Sequence, residues 1–410
     1  MIESTTKTEL KNNKYDHFLV ILMCLVAFGM YGGAMQPIRI VALASLPFLL
    51  IQFIKSKNNP FLFRAYLSSV FIYMWIALSY FWSTNIEEAT KEVVYYFAHF
   101  SLLLLIVTLY SKATNPLKSL TKGWFILIVL TAFIALVEIF YGLHMSINLI
   151  PDDFHIRYYD LNVFKRYASV TFGNYNTYVM VITMALPFLF TYLYLHKKFI
   201  TQFVAILIIS FSYFVLMINA SRGGLIAGGI ILFIWILFVQ KQKVHHIRNK
   251  LILLIPIAIF VIKYHVHTLF DQVTNRSAAG VSVVEDQGRI ELFTSAINAF
   301  LQKPFFGSGI GSIQTEMKNV TIFVPHNLVL EFLVQFGAVL GIIIALLFFK
   351  MFIRIPKVGV FQKATLVSIL ISIPFIFIIN SNYLLHPVLW VFFASIYCVS
   401  CFKKQNYSYD

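Results

Sequence analysis

The sequence predicts an all-α protein that crosses a membrane about twelve times, and three observations carry the prediction. Of its 410 residues, 59% are hydrophobic and 12% charged, where a water-soluble domain averages about a quarter charged. Mean hydropathy is +0.79. Apolar runs close to the roughly 20 residues that a bilayer requires recur from one end of the chain to the other, separated by polar turns.

The runs come in order as follows. A polar stretch, 1–16, precedes the first run at 17–33, and no small-residue cleavage site follows it, so this run is expected to be a retained first helix. Runs at 37–54, 65–82, 93–110 and 123–141 come next, then 175–195, 201–219, 223–240 and 250–266, and finally 326–350, 362–379 and 385–402. The pairs 17–33 with 37–54 and 201–219 with 223–240 are joined by very short turns. The 42 Phe and 22 Tyr suit lipid-facing and interfacial positions, where an aromatic ring with a polar handle settles well.

An even count places both termini on one side. Lys and Arg concentrate in cytoplasmic loops, and about two thirds of the 32 fall on the side of the termini, which is therefore expected to be cytoplasmic. All acidic residues other than Glu3, Glu9, Asp16 and Asp410 fall on the opposite side. The net charge of +15 is thus a topology signal, and no nucleic-acid partner is implied. Cys24, Cys398 and Cys401 all lie in or beside apolar runs, so no disulfide framework is visible. The CxxC formed by the last two lacks further ligands and is read as two helix thiols rather than a metal site.

The chain is expected to form one integral membrane domain, 1–410, with no inverted or parallel halves of the kind secondary transporters show. Its long connections, 142–174 and 267–325, both fall on the outer side, and loops of such length tend to carry function. The second, between helices nine and ten, holds a predicted amphipathic helix. Asp286 can cap "QGRIELFTSAINAFLQK", Ile290, Phe293, Ile297, Phe300 and Leu301 recur at helical spacing, and Pro304 stops it. The glycines of "GSGIGS", Gly307, Gly309 and Gly311, follow no strand and are expected to form a flexible turn rather than a phosphate cradle.

Ionisable and polar groups at the outer helix ends are the candidates for function, because burying such groups in a membrane is costly. Arg222 stands in "NASRGGLIAGG", where Gly223, Gly224, Gly228 and Gly229 let neighbouring backbones come close. Its guanidinium can snorkel to lipid phosphates or serve a site. Arg289, in the first turn of the expected loop helix, stands where the macrodipole disfavours a cation. An anionic guest held by both the Arg and free N–H groups explains that placement, and a solvated loop arginine is the alternative. His326 follows Pro325 and opens the tenth helix, with Asn327 and Glu331 one turn apart on a shared face. Lys165, Arg166, Asn174 and Asn176 gather at the mouth of the sixth helix, a place suited to a sugar or phosphate. Glu138, Asn380, Asn382 and His386 also lie at outer ends, where ordinary interfacial polarity explains them as well. Asp152 and Asp153 form an isolated acidic pair; no HExxH and no nucleotide-binding glycine motif is present. The chemistry is taken to be metal-free, with no cofactor.

Three segments together carry a resemblance. "ASRGG" at a helix start, "QGRIELFTSAINAFLQKPFFGSGIGS" in the long outer loop and "PHNLVLEFLVQFGAVLGI" at the next helix resemble the O-antigen ligase and polymerase family of bacterial envelope enzymes. The similarity runs from "TFGNYNTY" onward; the first five helices are similar only in general character. It implies a multispanning, inverting glycosyltransferase of the bacterial inner membrane whose active site faces the periplasm or exterior. The donor it implies is a glycan on undecaprenyl diphosphate, used without metal or cofactor. The family's motif arginines fall on Arg222 and Arg289, its histidine on His326, and Arg166, Asn174, Asn176, Asn327 and Glu331 are the expected substrate contacts. Ligases of the family pass the glycan to the lipid A core, polymerases to another lipid-linked repeat unit of O-antigen, exopolysaccharide or capsule. The chain is expected to be a ligase. A lipid-linked oligosaccharide transporter also suits twelve helices, yet it should carry ionisable residues near the midplane, where the sequence shows almost none.

Overall fold

The computed structural model describes residues 13–145, 167–219, 221–241, 281–317 and 325–401. Within these, all regular structure is helical. Seven helices are long and apolar enough to span a bilayer, or eight if one bent pair counts as a span, and two shorter apolar helices accompany them. The expected 250–266 run, Lys165, Arg166, Asp152 and Asp153 lie outside the described residues, so the count of twelve is not reached among those described.

Two expected spans are reshaped by backbone chemistry. The first is a helix only over Lys14–Cys24 (α1), followed by a 3-10 turn, Leu25–Phe28. Gly29, Gly32 and Gly33 then take φ of 54°, 84° and 53° and turn the chain, a conformation glycine adopts without penalty. The second is split into α2 (Pro37–Ala44) and α3 (Leu46–Lys55), bent by 47°. At the joint Ser45 hydrogen-bonds back to the Ala42 carbonyl at 2.7 Å, and Pro47, which has no N–H, cannot continue the ladder from α2.

The longer helices keep close to the apolar runs: α4 (Pro60–Leu78), α5 (Ile86–Lys112), α6 (Pro116–Tyr141), α7 (Tyr175–Leu195), α8 (Phe199–Ile218) and α9 (Arg222–Lys241). In the second half come α10 (Val281–Gln302), a single turn α11 (Ile313–Glu316), α12 (Leu328–Phe352), α13 (Val360–Ile376) and α14 (Pro387–Cys401). Two helices form the interior. Helix α7 is almost wholly buried, enclosed by α6, α8, α9 and α13, and α5 is held among α1, α2, α4 and α14. The other spans leave roughly half or more of their surface outward, as expected where lipid is the solvent.

A buried carboxylate fixes α1 to the turn between α5 and α6. Asp16 accepts from Asn13 N at 2.9 Å, Thr114 N and Asn115 N at 3.0 Å each, and Ser119 Oγ at 2.7 Å. Asp16→Ala would orphan these donors, so thermal unfolding in detergent should show a loss on the order of 3 kcal/mol. Asp16→Asn, which keeps one acceptor oxygen, should lose less.

The glycine-rich segment after α10 is neither a flexible turn nor a phosphate cradle. Residues 307–313 are buried, and three glycines with positive φ each lay their Cα face on a different piece of backbone. A Cβ on Gly307 would overlap the Gln335 carbonyl, one on Gly309 would strike Ser79 and Ser83, and one on Gly311 would strike Glu88 and Ala89. The segment enters a break in α12, where Gly337 takes φ 73° and ψ 179°. There Ser308 N donates to Val334 O at 2.9 Å, Gly309 N to Gln335 O at 2.9 Å and Ala338 N to Pro304 O at 2.8 Å. Backbone groups freed by the break are thereby satisfied, the condition for irregular backbone at membrane depth.

Helix α10 is longer than expected and packs on another stripe. Leu292, Ala296 and Ala299 are buried against Val334, Ile313 and Met317, whereas Ile290, Ile297 and Leu301 are exposed. The helix is apolar on two faces, one against α12 and one outward.

Candidate functional site

The site is organised by the turn 377–386 between α13 and α14. Tyr383–Leu385 makes a single 3-10 turn, braced by the Tyr383 hydroxyl, which donates to Ile376 O at 2.6 Å and accepts from Asn380 N at 2.9 Å. Asn380 Nδ2 donates to Thr177 Oγ1 at 3.0 Å, joining the turn to the start of α7.

Two helix starts rest on this turn. Helix α9 begins at Arg222, with Ser221 Oγ accepting from Gly224 N at 3.4 Å. The Cα of Gly223 faces Phe375 O and the Ile379 side chain, and Gly224 faces Val179 of α7. Gly228 lies against Leu216 and Tyr213 of α8, and the Tyr213 hydroxyl donates to Gly228 O at 2.8 Å. Gly223, Gly224 and Gly228 thus bring Arg222, itself exposed, to the end of α13. On the other side Leu328 N donates to Phe377 O at 2.9 Å, which sets α12, and the half-buried His326 before it, on the same stretch. Arg222 and His326, distant in sequence, are carried by helices that start on one turn.

Several polar residues at these helix starts have structural partners. Asn327 is the N-cap of α12, its Oδ1 accepting from Val329 N at 2.9 Å and Leu330 N at 3.2 Å. Asn174 caps α7, accepting from Asn176 N at 2.7 Å. Both follow from the preference of Asn for a cap, where its oxygen reaches N–H groups without helical partners. Glu331 is buried, and its carboxylate accepts from Tyr383 N at 3.0 Å and Leu384 N at 3.3 Å. Asn176 is half-buried in the first turn of α7. Arg289 is the ninth residue of α10, not in its first turn. Position 289 therefore does not stand beside the free N–H groups of a helix end, because the helix begins earlier than an Asp286 cap implies. Glu138, at the end of α6, accepts from Ser169 N and Val170 N at 2.7 Å each and holds the buried segment that leads into α7.

Arg39 on α2 is a buried cation at this end that the apolar run concealed. It lies near His99 and His386. His386 stands in the turn outside the helices; burial, and then the Arg39 guanidinium, push its imidazole down to about 4, which keeps it neutral. Among the described residues no group of three or more His, Cys, Asp or Glu side chains is placed to hold a metal ion.

Beside the turn opens an apolar cavity of about 590 Å³. Tyr96 and Phe100 of α5, Leu328 and Phe332 of α12, Phe377 and Trp390 line it, among others.

Comparison with proteins of curated function finds no match. Residues 203–346 match the family model of the O-antigen ligase, a stretch that runs from within α8 to within α12 and holds Arg222, Arg289 and His326. Over those residues, about a third of its length, the chain is similar to the domain of the O-antigen ligase family.

Proposed function

We propose that the protein is an inverting membrane glycosyltransferase that moves a glycan from undecaprenyl diphosphate to an acceptor at the outer face of the bacterial inner membrane, as an O-antigen ligase acting on the lipid A core. The observation that carries the proposal is the seating of the Arg222-bearing and His326-bearing helix starts on the one turn, 377–386.

In the proposed reaction the acceptor hydroxyl attacks the anomeric carbon, and His326 takes its proton as general base. The bond from that carbon to the phosphate oxygen breaks with inversion, and undecaprenyl diphosphate leaves with the bonding pair. Arg222 and Arg289 supply positive charge where the leaving group's negative charge grows, so that no metal is required. Helices α2, α7, α9, α12 and α14 all start at this end, and the positive ends of their dipoles favour an anionic donor there. The cavity of about 590 Å³ beside the turn offers an apolar chain a place at this end of the helices.

The test is purified protein with radiolabelled lipid-linked glycan and lipid A core. Transfer of label to the core without ATP is the expected result. Label that grows into longer lipid-linked chains makes the protein a polymerase instead. Movement of unaltered donor across vesicles, with no transfer, makes it a transporter and removes the proposal.

A further inference from the structure

Arg39 is 6% exposed and belongs to none of the sequence motifs. Its Nε donates to His99 Nε2 at 3.3 Å, one terminal nitrogen to Gly33 O at 3.1 Å and the other to Leu385 O at 2.9 Å. Its planar face lies 4.2 Å from the Tyr95 ring centroid. Among the described residues no carboxylate comes within ion-pair distance of it. A guanidinium in apolar surroundings is costly, so what compensates its charge decides its role.

Its shortest hydrogen bond goes to the turn. Glu331 receives the first two N–H groups of the 3-10 turn Tyr383–Leu385, and Arg39 donates to that turn's last carbonyl. The Glu331 carboxyl thus holds the amino end of the turn and the Arg39 guanidinium its carboxyl end. One of these side chains comes from α12 and the other from α2, and both are buried. Lysine cannot replace this geometry, because a point charge on a flexible stem does not bond three acceptors in a fixed plane.

We infer that Arg39 is a positioning residue for the proposed transfer: paired with Glu331 through the turn 377–386, it fixes the surface on which the starts of α9 and α12 rest. The inference rests on the proposed function for its kinetic half only. Displacing a catalytic group by about 1 Å costs about 100-fold in rate, and the turn is what sets Arg222 and His326 relative to each other.

The experiment uses the full chain in detergent or nanodiscs, with Arg39→Met, Arg39→Lys, Glu331→Gln and the Arg39→Met/Glu331→Gln pair. For glycan transfer, kcat should fall about 100-fold in Arg39→Met with donor KM changed less than about threefold. The double variant should be no worse than the poorer single one, the non-additivity of residues acting as a unit. Independently of activity, hydrogen exchange should quicken at 383–386 and at the first amides of α9 and α12. Should Arg39→Met fail to accumulate, Arg39→Lys carries the same test, with the same direction at smaller size. Unchanged exchange at those amides overturns the inference, whether transfer falls or not. So does an increase in donor KM alone, which belongs to direct substrate binding. An inactive wild type with quickened exchange in the variants removes the proposed function and leaves the positioning role standing.

Discussion

Replacing Gly337 with valine is expected to leave almost no folded protein in the membrane. At φ 73° and ψ 179° the backbone lies in a region that is essentially glycine's alone, and a side chain there would overlap the Phe305 carbonyl and Gly307 N. Backbone strain and overpacking together come to about 3 to 5 kcal/mol, a large share of the 5 to 15 kcal/mol or so that holds an ordinary domain together. The control lies in the same helix. Gly341 has ordinary φ, and a Cβ there meets only the tip of the Leu333 side chain, so Gly341→Ala should accumulate near wild-type amounts. Membrane-fraction immunoblots with a detergent melt of each variant decide the matter, and a stable Gly337→Val would show that the break in α12 is dispensable.

His326→Ala is expected to lose transfer by a factor of about 10² to 10⁴, the usual contribution of a positioned general base, while insertion and melting temperature stay as in the wild type. The neighbouring Asn327 is engaged in capping α12, so Asn327→Ala should act differently, costing about 1 kcal/mol of stability with a smaller loss of rate. Labelled-donor turnover measured alongside a thermal melt separates the two effects. Full activity in His326→Ala would remove the histidine from the mechanism.

Much of the fold was legible because run length sets span length directly. Helices α7, α8 and α9 begin and end within about two residues of the apolar runs. The breaks at Ser45 and Gly337 were not, because hydropathy is blind to backbone conformation: the residues stay apolar straight through both. The alternating glycines at 307, 309 and 311 did carry a signal, since glycine in a structured stretch marks close backbone approach. Their partners at 79–89, however, lie far away in the sequence. At the site, Arg222 and His326 were recognisable by their motifs, but what holds them was not. The turn 377–386 lies outside the stretch that matches the family. Arg39 was open to discovery, since an ionisable residue inside an apolar run is a functional signal by default. Its partners were not, for they are carbonyls and an imidazole whose positions only the folded chain reveals.

The glycine wedge has a consequence for biogenesis. Ser83 Oγ donates to Ile310 O at 2.7 Å across 227 positions of chain, and Thr84 N donates to Ser308 O. The corner between α4 and α5 is therefore a docking post that the ribosome has delivered long before the wedge emerges. The broken form of helix α12 is thus complete only when both halves of the chain are in place, the amino-terminal half supplying the surface on which the half that carries the motifs rests.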